Sequence, residues 1–356
     1  MLVVVLQMTK IEGETKAQLL SRTSRQIEAF TKVGFETKVV VAKELSENEL
    51  IEACKEADVL YCNGNPPITK KLMLACPHLK LVQRAGIGTD SVDAEGAAEL
   101  GIPVFNVTGY CVEELAVHAT ALILSNLRTI TFYDREIRKG NWPKAKGRMP
   151  LRCSKMTLGI FGLGGSGKNM AKIWGQGFGS RLIAFDPFVP ENKAAEIGVE
   201  LVDFETLCKE SDVISIHAPL TDSTRHAFNE KAFSMMKPNC IIVNTSRGPI
   251  IDEQALVNAI QSGKIAAAGI DTFENEPPEK DSPLFALEKE SVLTPHSAYC
   301  GKEASSILVK IACELVIRFI NRKELYLPYL VNRSISSEIG KNGISAINRL
   351  ITEEEL

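Results

Sequence analysis

Short apolar runs separated by stretches of helical periodicity recur along the whole chain. In the first hundred or so residues the apolar runs predict strands, and the segments between them predict helices. The predicted strands are Leu2–Leu6, Thr37–Val41, Ala57–Cys62, Leu79–Val82 and Ile102–Phe105, with helices near 15–33, 46–56, 68–75 and 91–100. This alternation is typical of a parallel sheet with helices on both faces, so the sequence predicts an α/β fold.

A second alternating series begins at Met156, after a long helical segment from about Val112 to Arg138. Its six predicted strands are Thr157–Phe161, Arg181–Phe185, Val213–His217, Cys240–Asn244, Ala266–Ile270 and Val292–Thr294. Strands in this rhythm favour a doubly wound sheet of the Rossmann, dinucleotide-binding type. A long amphipathic helix follows from 302 to about 320, and the polar stretch 331–356 is predicted to be a partly ordered tail.

Composition narrows the class of protein. The length of 356 residues suits two domains rather than one. Lys and Arg number 41 and Asp and Glu 44, a net charge of −3 that gives no support for nucleic acid or an anionic membrane as partner. No apolar run approaches the length of a membrane span, and the apolar start of the chain is interpreted as a first strand rather than a signal peptide.

The cysteines favour a reducing compartment. Their number, nine, is odd, and no CxxC pair occurs. The pattern therefore predicts neither a disulfide framework nor a zinc site, and we expect no bound metal. Reduced thiols indicate the cytosol.

A glycine-rich turn follows the first strand of the second series. Gly162, Gly164 and Gly167 form a GxGxxG pattern that follows the apolar strand 158–161 and opens a helical stretch. Gly162 permits a tight turn, Gly164 lets the backbone approach a pyrophosphate, and Gly167 lets the helix pack on the strand. The helix N-terminus presents amide N–H groups to the phosphates. The pattern predicts a dinucleotide site; a glycine-rich turn without a ligand is the structural alternative.

An acidic residue ends the next predicted strand. Asp186 lies 19 residues after Gly167, where a carboxylate accepts hydrogen bonds from the ribose hydroxyls of the cofactor. The same carboxylate repels a 2′-phosphate, and the following run, Pro187-Phe188-Val189, contains no arginine. NAD is therefore predicted rather than NADP.

Three polar residues each follow a predicted strand of the second series. Arg247 comes after 240–244, Glu276 after 266–270 and His296 after 292–294. Taken singly, such residues are more often surface, solvated or helix-start residues. Because ligands of open α/β sheets bind outside the carboxyl ends of the strands, the three are predicted to converge at one edge. The rival histidines are His217 and His226; His118 has either a cleft-facing or a packing role, and His78 has no supporting context.

At these residues the chain resembles the D-isomer-specific 2-hydroxyacid dehydrogenase family, over nearly its whole length. The resemblance is carried by several long motifs in the family's order. They are Ala85 to Asp93, Leu158 to Gly167, Asn244 to Asp252, Asp271 to Pro277 and Thr294 to His296.

The resemblance implies a role for each member of the trio. His296 is the acid/base that protonates the keto oxygen during reduction, a task that suits an imidazole. Glu276 holds His296 and favours its imidazolium form. Arg247 binds the substrate carboxylate and polarises the carbonyl with its planar guanidinium. Hydride then passes between the nicotinamide and carbon 2 of a 2-keto or 2-hydroxy acid.

The resemblance also implies the binding residues. The amides of Gly86, Ile87 and Gly88 hold the other side of the substrate carboxylate, and Asp271 meets the carboxamide of the nicotinamide. Tyr299 either walls the pocket for the substrate side chain or packs between domains. The remaining candidate cofactor-binding residues are Gly162, Gly164, Gly165, Ser166, Gly167, Asp186, His217, Ala218, Pro219, Thr245, Ser246 and Arg247.

Two departures from the family bear on cofactor and substrate. Position 166 is serine where an aliphatic residue is usual, and Gly165 stands where a basic side chain often reaches the phosphates; Lys168 is a partial substitute. The loop 63–67 contains no arginine, although a phosphorylated substrate needs one or two. The expected substrate is therefore an unphosphorylated 2-keto acid.

The family's architecture implies the domain arrangement. Residues 1–110 and 303–332 form a smaller, flavodoxin-like substrate domain, 111–302 form the Rossmann cofactor domain, and 333–356 form a C-terminal tail. The resemblance implies a homodimer that pairs through the cofactor domain. After His296, where many members have a glycine pair, this chain has Ser297-Ala298-Tyr299-Cys300, and an aromatic residue at this place resembles the branch of the C-terminal-binding-protein corepressors. The alternative function is therefore an NAD(H)-sensing, corepressor-like scaffold.

Overall fold

The chain folds into two compact units in the computed structural model. Unit 1 comprises Met1–Tyr110 and Lys302–Leu356, and unit 2 comprises Cys111–Gly301. The structure describes residues 1–7, 16–42, 45–64, 66–143, 151–336 and 343–352.

The first segment of unit 1 alternates strands and helices, as its hydrophobic pattern predicts. In chain order the elements are β1 (Leu2–Gln7), α1 (Lys16–Arg22), α2 (Ser24–Thr31), β2 (Glu36–Val41), α3 (Glu47–Cys54), β3 (Val59–Cys62), α4 (Lys70–Leu74), β4 (Leu81–Arg84), α5 (Ala94–Glu99) and β5 (Val104–Phe105). The strands pair in parallel in the order β2-β1-β3-β4-β5, which is the flavodoxin-like order.

Unit 2 begins with two helices and continues as a second alternating series. Its elements are α6 (Val112–Arg128), α7 (Ile130–Arg138), β6 (Thr157–Phe161), α8 (Gly165–Lys172), β7 (Arg181–Phe185), α9 (Glu191–Ala195), β8 (Glu200–Leu201), α10 (Phe204–Glu210), β9 (Val213–Ile216), α11 (Glu230–Met235), β10 (Ile241–Asn244), α12 (Glu253–Gln261), β11 (Ala267–Ile270) and β12 (Ser291–Leu293).

The sheet of unit 2 is doubly wound. Its strands run in parallel in the order β12-β11-β10-β9-β6-β7-β8, so the order reverses between β6 and β9. Apolar side chains cover both faces: one core contains Phe161, Phe228 and Phe233, and the other contains Met170 and Trp174. The two parallel sheets confirm the predicted fold class, a Rossmann sheet with a smaller flavodoxin-like sheet.

Two details of unit 2 differ from the sequence prediction. The segment predicted as one helix from Val112 to Arg138 is two helices, bent by 63° at Thr129. Thr129 has a left-handed backbone, with φ of 54°, and threonine gives no sequence signal for that conformation. The strand β8 was not predicted. It has two residues, which pair only with β7, and two residues are too few to show an alternation of apolar and polar positions.

The second segment of unit 1 covers one face of the first sheet. Helix α13 (Lys302–Ile317) is followed by β13 (Glu324–Tyr326) and β14 (Ser345–Ile347), which pair in parallel. Apolar residues of this segment share a core with β1, β3 and β4. Part of the predicted tail thus forms a strand, while 337–342 and 353–356 lie outside the described residues.

Among the described helices, none is by itself long and apolar enough to cross a membrane. Helices α6 and α7 reach the length and apolar composition of a membrane span only when they are taken together, and a 63° bend separates them.

The two tryptophans give a matched test of the core of unit 2. Trp174 is fully buried and its Nε1 donates a hydrogen bond to Thr120 Oγ1 at 3.1 Å, whereas Trp142 is 86% exposed. We expect Trp174→Ala to lower the free energy of unfolding by about 3–5 kcal/mol. Trp142→Ala should change it by no more than about 0.5 kcal/mol. Urea unfolding followed by far-UV circular dichroism measures both; equal midpoints would contradict the described core.

Candidate active site

The candidate residues of unit 2 lie where its parallel strands end. Strands β9, β10 and β11 pair in register, so the residues that follow them emerge at one edge of the sheet. The glycine turn follows β6, His217 follows β9, and Arg247 follows β10. The reversal of strand order between β6 and β9 marks the crevice in which open α/β sheets bind ligands.

The glycine turn is packed tightly on one side and open on the other. Gly162 has φ of 94°, and a Cβ there would lie 2.6 Å from the backbone N of Ala218. A Cβ on Gly167 would lie 2.3 Å from Gly162 O. A Cβ on Gly164 would meet nothing within 4 Å. Side chains are therefore excluded where strand and helix meet, and space remains where a pyrophosphate would approach the N-terminus of α8.

The hydroxyl of Ser166 in this turn has a hydrogen-bond partner, His217. His217 Nδ1 lies 3.1 Å from Ser166 Oγ, and His217 Nε2 lies 2.8 Å from Ser215 Oγ. Desolvation lowers the pKa of His217 to about 4, so the imidazole is neutral at pH 7. His217 therefore joins the end of β9 to the start of α8 through two hydroxyl groups.

Asp186 is held at the end of β7 by backbone donors. Its Oδ2 accepts from Leu163 N at 2.8 Å, and its Oδ1 accepts from Phe188 N at 2.9 Å. Each carboxylate oxygen has more than one lone pair, so acceptor capacity remains for ribose hydroxyls. The carboxylate is thus fixed against the glycine turn, as the NAD prediction requires.

The turn after β10 brings two further candidates to the edge. Asn244 Nδ2 donates to Arg247 O at 2.8 Å, and Asn244 Oδ1 accepts from Ser246 N at 3.0 Å. Ser246 Oγ donates to Ile216 O at 3.0 Å. Thr245 is buried, and its Oγ1 has no hydrogen-bond partner within the described part of the chain. A buried hydroxyl in that state fits a ligand that supplies the missing partner.

Together these features fit NAD. The open space at Gly164, the fixed carboxylate of Asp186 and the orphaned hydroxyl of Thr245 suit the pyrophosphate, a ribose and a polar group of the cofactor, respectively. Ala218 lies against the turn, while Pro219 O accepts from Thr224 Oγ1 at 2.7 Å. Among the described residues, no group of three or more His, Cys, Asp or Glu side chains is arranged to hold a metal ion.

Close backbone packing brings Arg247 next to the loop that carries Glu276. A Cβ on Gly248 would lie 1.9 Å from the carbonyl carbon of Phe273, so only glycine fits between the two loops. Arg247 NH1 donates to Ser246 O at 2.7 Å. The guanidinium charge is near enough to help lower the pKa of Glu276.

Glu276 and His296 form a hydrogen-bonded pair. His296 Nδ1 lies 2.7 Å from Glu276 Oε2, and Glu276 Oε1 accepts from Phe273 N at 3.1 Å. Burial raises the pKa of Glu276, but the hydrogen bond and charge of His296, the Phe273 N–H and Arg247 together hold it below its usual value. Both side chains are a little over one third exposed, so the pair is held in place yet accessible.

The turn that carries His296 is organised by the buried carboxylate of Asp271. Asp271 is fully buried; its Oδ1 accepts from Thr294 Oγ1 at 2.6 Å and from Ser297 N at 2.9 Å, and its Oδ2 accepts from Ala298 N at 2.9 Å. His296 N donates to Asp271 O at 2.7 Å. His296 has φ of 48°, a conformation that costs about 1–2 kcal/mol in a residue other than glycine. These hydrogen bonds offset that cost. The predicted contact of Asp271 with the nicotinamide stays a prediction.

Tyr299 and the rival histidines occupy separate places. The Tyr299 ring packs edge-on against His296, with centroids 6.1 Å apart, and is 42% exposed. His226 Nε2 lies 3.1 Å from Glu274 Oε1, away from the Glu276 pair. His118 Nε2 lies 3.0 Å from Thr294 Oγ1. The structure therefore joins Tyr299 and His118, but not His226, to the turn of His296.

In unit 1 the candidate substrate loop follows β4. Gly86, with φ of 152°, has its N–H bonded to Arg84 O at 3.0 Å, and Asn106 Nδ2 donates to Ile87 O at 2.8 Å. Within the described part of the chain, the N–H groups of Ile87 and Gly88 have no hydrogen-bond acceptor. These two amides are the better candidates for an anion, and Gly86 supplies the turn.

Sequence reasoning missed four residues that shape these sites. Gly248 and Asn244 fix the turn of Arg247, Thr294 connects to Asp271, and Arg84 packs its guanidinium against Gly86 while NH1 donates to Ala85 O at 2.5 Å. Glycine directly after a candidate arginine was a usable signal. Asn244 and Arg84 contact near neighbours in the sequence, whereas the contact of Thr294 with Asp271 spans 23 positions and leaves no local pattern.

Comparison with known proteins places these features in a family. The family model described as the NAD binding domain of D-isomer specific 2-hydroxyacid dehydrogenase matches residues 120–298. The D-3-phosphoglycerate dehydrogenase of Methanocaldococcus jannaschii is 38% identical over 280 residues, which cover 78% of this chain and 53% of that protein. The glyoxylate reductase of Korarchaeum cryptofilum is 38% identical over 293 residues, which cover 82% of this chain and 87% of that protein.

Solved structures of dehydrogenases resemble this chain in fold. The D-lactate dehydrogenase of Aquifex aeolicus, complexed with NAD and lactic acid, superposes with a TM-score of 0.78 at 26% identity, covering 93% of this chain and 99% of that one. The chain spans about half the length of the two D-3-phosphoglycerate dehydrogenases that it matches first. The match to an NAD-binding domain confirms the predicted cofactor.

The lowered pKa of His217 gives a testable pH dependence. Its pKa is about 4 in the folded protein, against about 6.5 in an unfolded chain, so the unfolded chain binds more protons between these values. Stability should therefore be lost as the pH falls from about 6.5 to about 4. The glutamine of His217→Gln cannot take up the proton. We therefore expect the free energy of unfolding of this variant to fall less steeply with decreasing pH, by up to about 1.4 kcal/mol per pH unit. Urea midpoints across that range measure the difference; parallel curves would show that His217 does not titrate in this way.

Proposed function

The chain belongs to the D-isomer-specific 2-hydroxyacid dehydrogenase family, and we propose that it transfers hydride reversibly between NADH and an unphosphorylated 2-keto acid. The observation that carries the proposal is the 2.7 Å hydrogen bond between His296 Nδ1 and Glu276 Oε2, at the sheet edge where Arg247 also lies. An imidazole held by a carboxylate beside a guanidinium suits acid/base chemistry on an anionic carbonyl compound.

His296 is the proposed acid/base. Because its Nδ1 is bonded to Glu276, Nε2 is the nitrogen that remains for the substrate oxygen. The carboxylate stabilises the imidazolium, which gives a proton to the keto oxygen during reduction and regains it during oxidation. NADH, when bound, supplies the hydride that reduces the keto carbon. Glu276 sets the orientation and charge of His296 and takes no proton itself.

Arg247 is the proposed substrate clamp. Its planar guanidinium presents N–H donors in a fork that matches a carboxylate and the adjacent carbonyl oxygen, and NH1 also donates to Ser246 O. In unit 1, the amides of Ile87 and Gly88, with Gly86 shaping their loop, are proposed to bind a substrate carboxylate. Tyr299, edge-on to His296, is proposed to line the pocket for the substrate side chain.

The domain roles follow from these assignments. We propose that 111–302 is the cofactor domain and that 1–110 with 303–332 is the substrate domain, followed by the tail 333–356. We also propose a homodimer through the cofactor domain. None of the residues of α7 is buried, and Ile130 and Ile137 are 53% and 48% exposed, which supports pairing there. The nine cysteines support a reducing compartment, the cytosol.

Two observations support an unphosphorylated substrate. The loop 63–67 contains no arginine; Asn65 within it lies outside the described residues. Arg84 is the cation beside the Gly86 loop; its NH1 donates to Ala85 O and lies against Gly86, and its Nε has no hydrogen-bond partner in the described part of the chain. A phosphate would need a further bidentate cation that this segment does not offer.

Removal of His296 or Glu276 should affect catalysis in different ways. We expect His296→Gln to lower kcat/KM for keto-acid reduction by about 10²–10⁴-fold, because the proton donor is lost. Glu276→Gln removes the negative charge that stabilises the imidazolium, so the decline of reduction with rising pH should begin at lower pH.

Steady-state rates across a pH series measure both effects, and NADH binding by fluorescence titration is the control. We expect binding to be unchanged in both variants. A Glu276→Gln profile that superposes on that of the wild type would contradict the assigned role.

The substrate class is tested by a panel of 2-keto acids. NADH consumption should be measured with pyruvate, glyoxylate, hydroxypyruvate, branched 2-keto acids and phenylpyruvate, and with 3-phosphohydroxypyruvate as the phosphorylated comparison. We expect turnover on one unphosphorylated class, because the described loops offer no second phosphate clamp. Preference for the phosphorylated acid would overturn the substrate assignment. NADH binding without turnover on any acid would favour the NAD(H)-sensing scaffold.

A further inference from the structure

A histidine outside the proposed catalytic trio contacts the turn of His296. His118 lies on α6, and its Nε2 is 3.0 Å from Thr294 Oγ1 and 3.5 Å from Asp271 Oδ1. The His118 side chain is 25% exposed, and that of Asp271 is fully buried. Thr294 Oγ1 in turn lies 2.6 Å from Asp271 Oδ1. The three side chains therefore form a continuous line from α6 to the end of β11.

The direction of these hydrogen bonds follows from what each group can donate. An ionised carboxylate only accepts, so the Thr294 hydroxyl proton must point at Asp271. The lone pairs of Thr294 Oγ1 then remain for His118, which must donate from Nε2. Asp271 Oδ1, the oxygen at which the line ends, accepts from Thr294 Oγ1 and also from Ser297 N. His118 is thereby fixed with a proton on Nε2.

The turn that this line contacts is also held by backbone hydrogen bonds. Thr294 N donates to Ile270 O at 2.9 Å, and His296 N donates to Asp271 O at 2.7 Å. The Thr294 side chain, held by His118, sets where the chain enters the left-handed residue His296. A shift of Thr294 would change the direction of the His296 ring relative to Glu276. Misplacement of a reacting group by about 1 Å is enough to slow catalysis strongly.

We propose that His118 is a positioning residue for His296, acting through the hydroxyl of Thr294. The proposal rests on the proposed function for its kinetic consequence, but the coupling between the two histidines is independent of any substrate. His118 does not touch the reacting atoms in this scheme. It keeps the acid/base in register with the residues that bind the keto acid.

Two matched pairs of variants isolate the hydrogen bonds. His118→Leu removes the donor, whereas His118→Gln retains an N–H at a similar reach; Thr294→Val removes the hydroxyl, whereas Thr294→Ser retains it. We expect His118→Leu and Thr294→Val to lower kcat by about tenfold, the effect of losing one supporting hydrogen bond. The KM for the keto acid and the Kd for NADH should change less than about twofold. His118→Gln and Thr294→Ser should recover most of kcat.

A second readout does not need activity. The chain has five histidines, so ring resonances of isotope-labelled histidine can be assigned one at a time by substitution. We expect His118→Leu and Thr294→Val to shift the His296 ring resonances and their pH titration. His78→Leu, an exposed change in unit 1, should leave them unchanged.

The outcomes separate this proposal from the proposed function. If the wild type turns over no 2-keto acid but His118→Leu still shifts the His296 resonances, the coupling stands and the proposed reaction fails. If the wild type is active and His118→Leu leaves both kcat and the His296 resonances unchanged, the coupling is wrong. Equal losses in His118→Leu and His118→Gln would also overturn it, because the retained N–H would then have no effect.

Discussion

The architecture of the candidate active site depends on one buried carboxylate. Asp271 follows β11 at the edge of the sheet and is fully removed from solvent. An ionised group in that position is tolerated only when its oxygens are saturated with donors. Its nearest donors are the backbone N–H groups of Ser297 and Ala298 and the hydroxyl of Thr294, and the Ser297 hydroxyl lies 3.5 Å from Oδ1. The segment after β12 must therefore fold back onto Asp271, and His296 is carried with it.

A second constraint, the parallel register of the strands, explains why an arginine, a glutamate and a histidine from distant parts of the chain lie at one edge of the sheet. Parallel strands in register bring their carboxyl ends to one edge, and short, tightly bonded turns keep the next residues there. Asn244 ties the Arg247 turn, and the missing side chain of Gly248 lets that turn contact the loop of Glu276. Glu276 then needs only one hydrogen bond to hold the imidazole.

Much of this could be predicted from sequence, because the signals are local. Apolar runs marked the strands, the glycine spacing marked the phosphate turn, and the trio followed strand ends. The rest depends on distant pairs: His118 and Thr294 are 176 positions apart, and Thr294 and Asp271 are 23 apart. A threonine that adopts a left-handed backbone, as Thr129 does between α6 and α7, likewise leaves no local pattern. Such contacts are fixed by the tertiary fold rather than by neighbouring residues.

The cofactor turn shows how a departure from the family pattern is accommodated. A serine replaces an aliphatic residue at 166, and His217 supplies the polar partner that the hydroxyl needs. Gly165 lacks the basic side chain often found there, and a Cβ at that position would lie 2.9 Å from Val112 Cγ1, so α6 limits the room for a larger residue. Because His217 is neutral at pH 7, neither change adds a charge near the phosphates. The groups proposed to bind the phosphates at this turn are therefore the amide groups and dipole of α8, with Lys168 as the candidate cation.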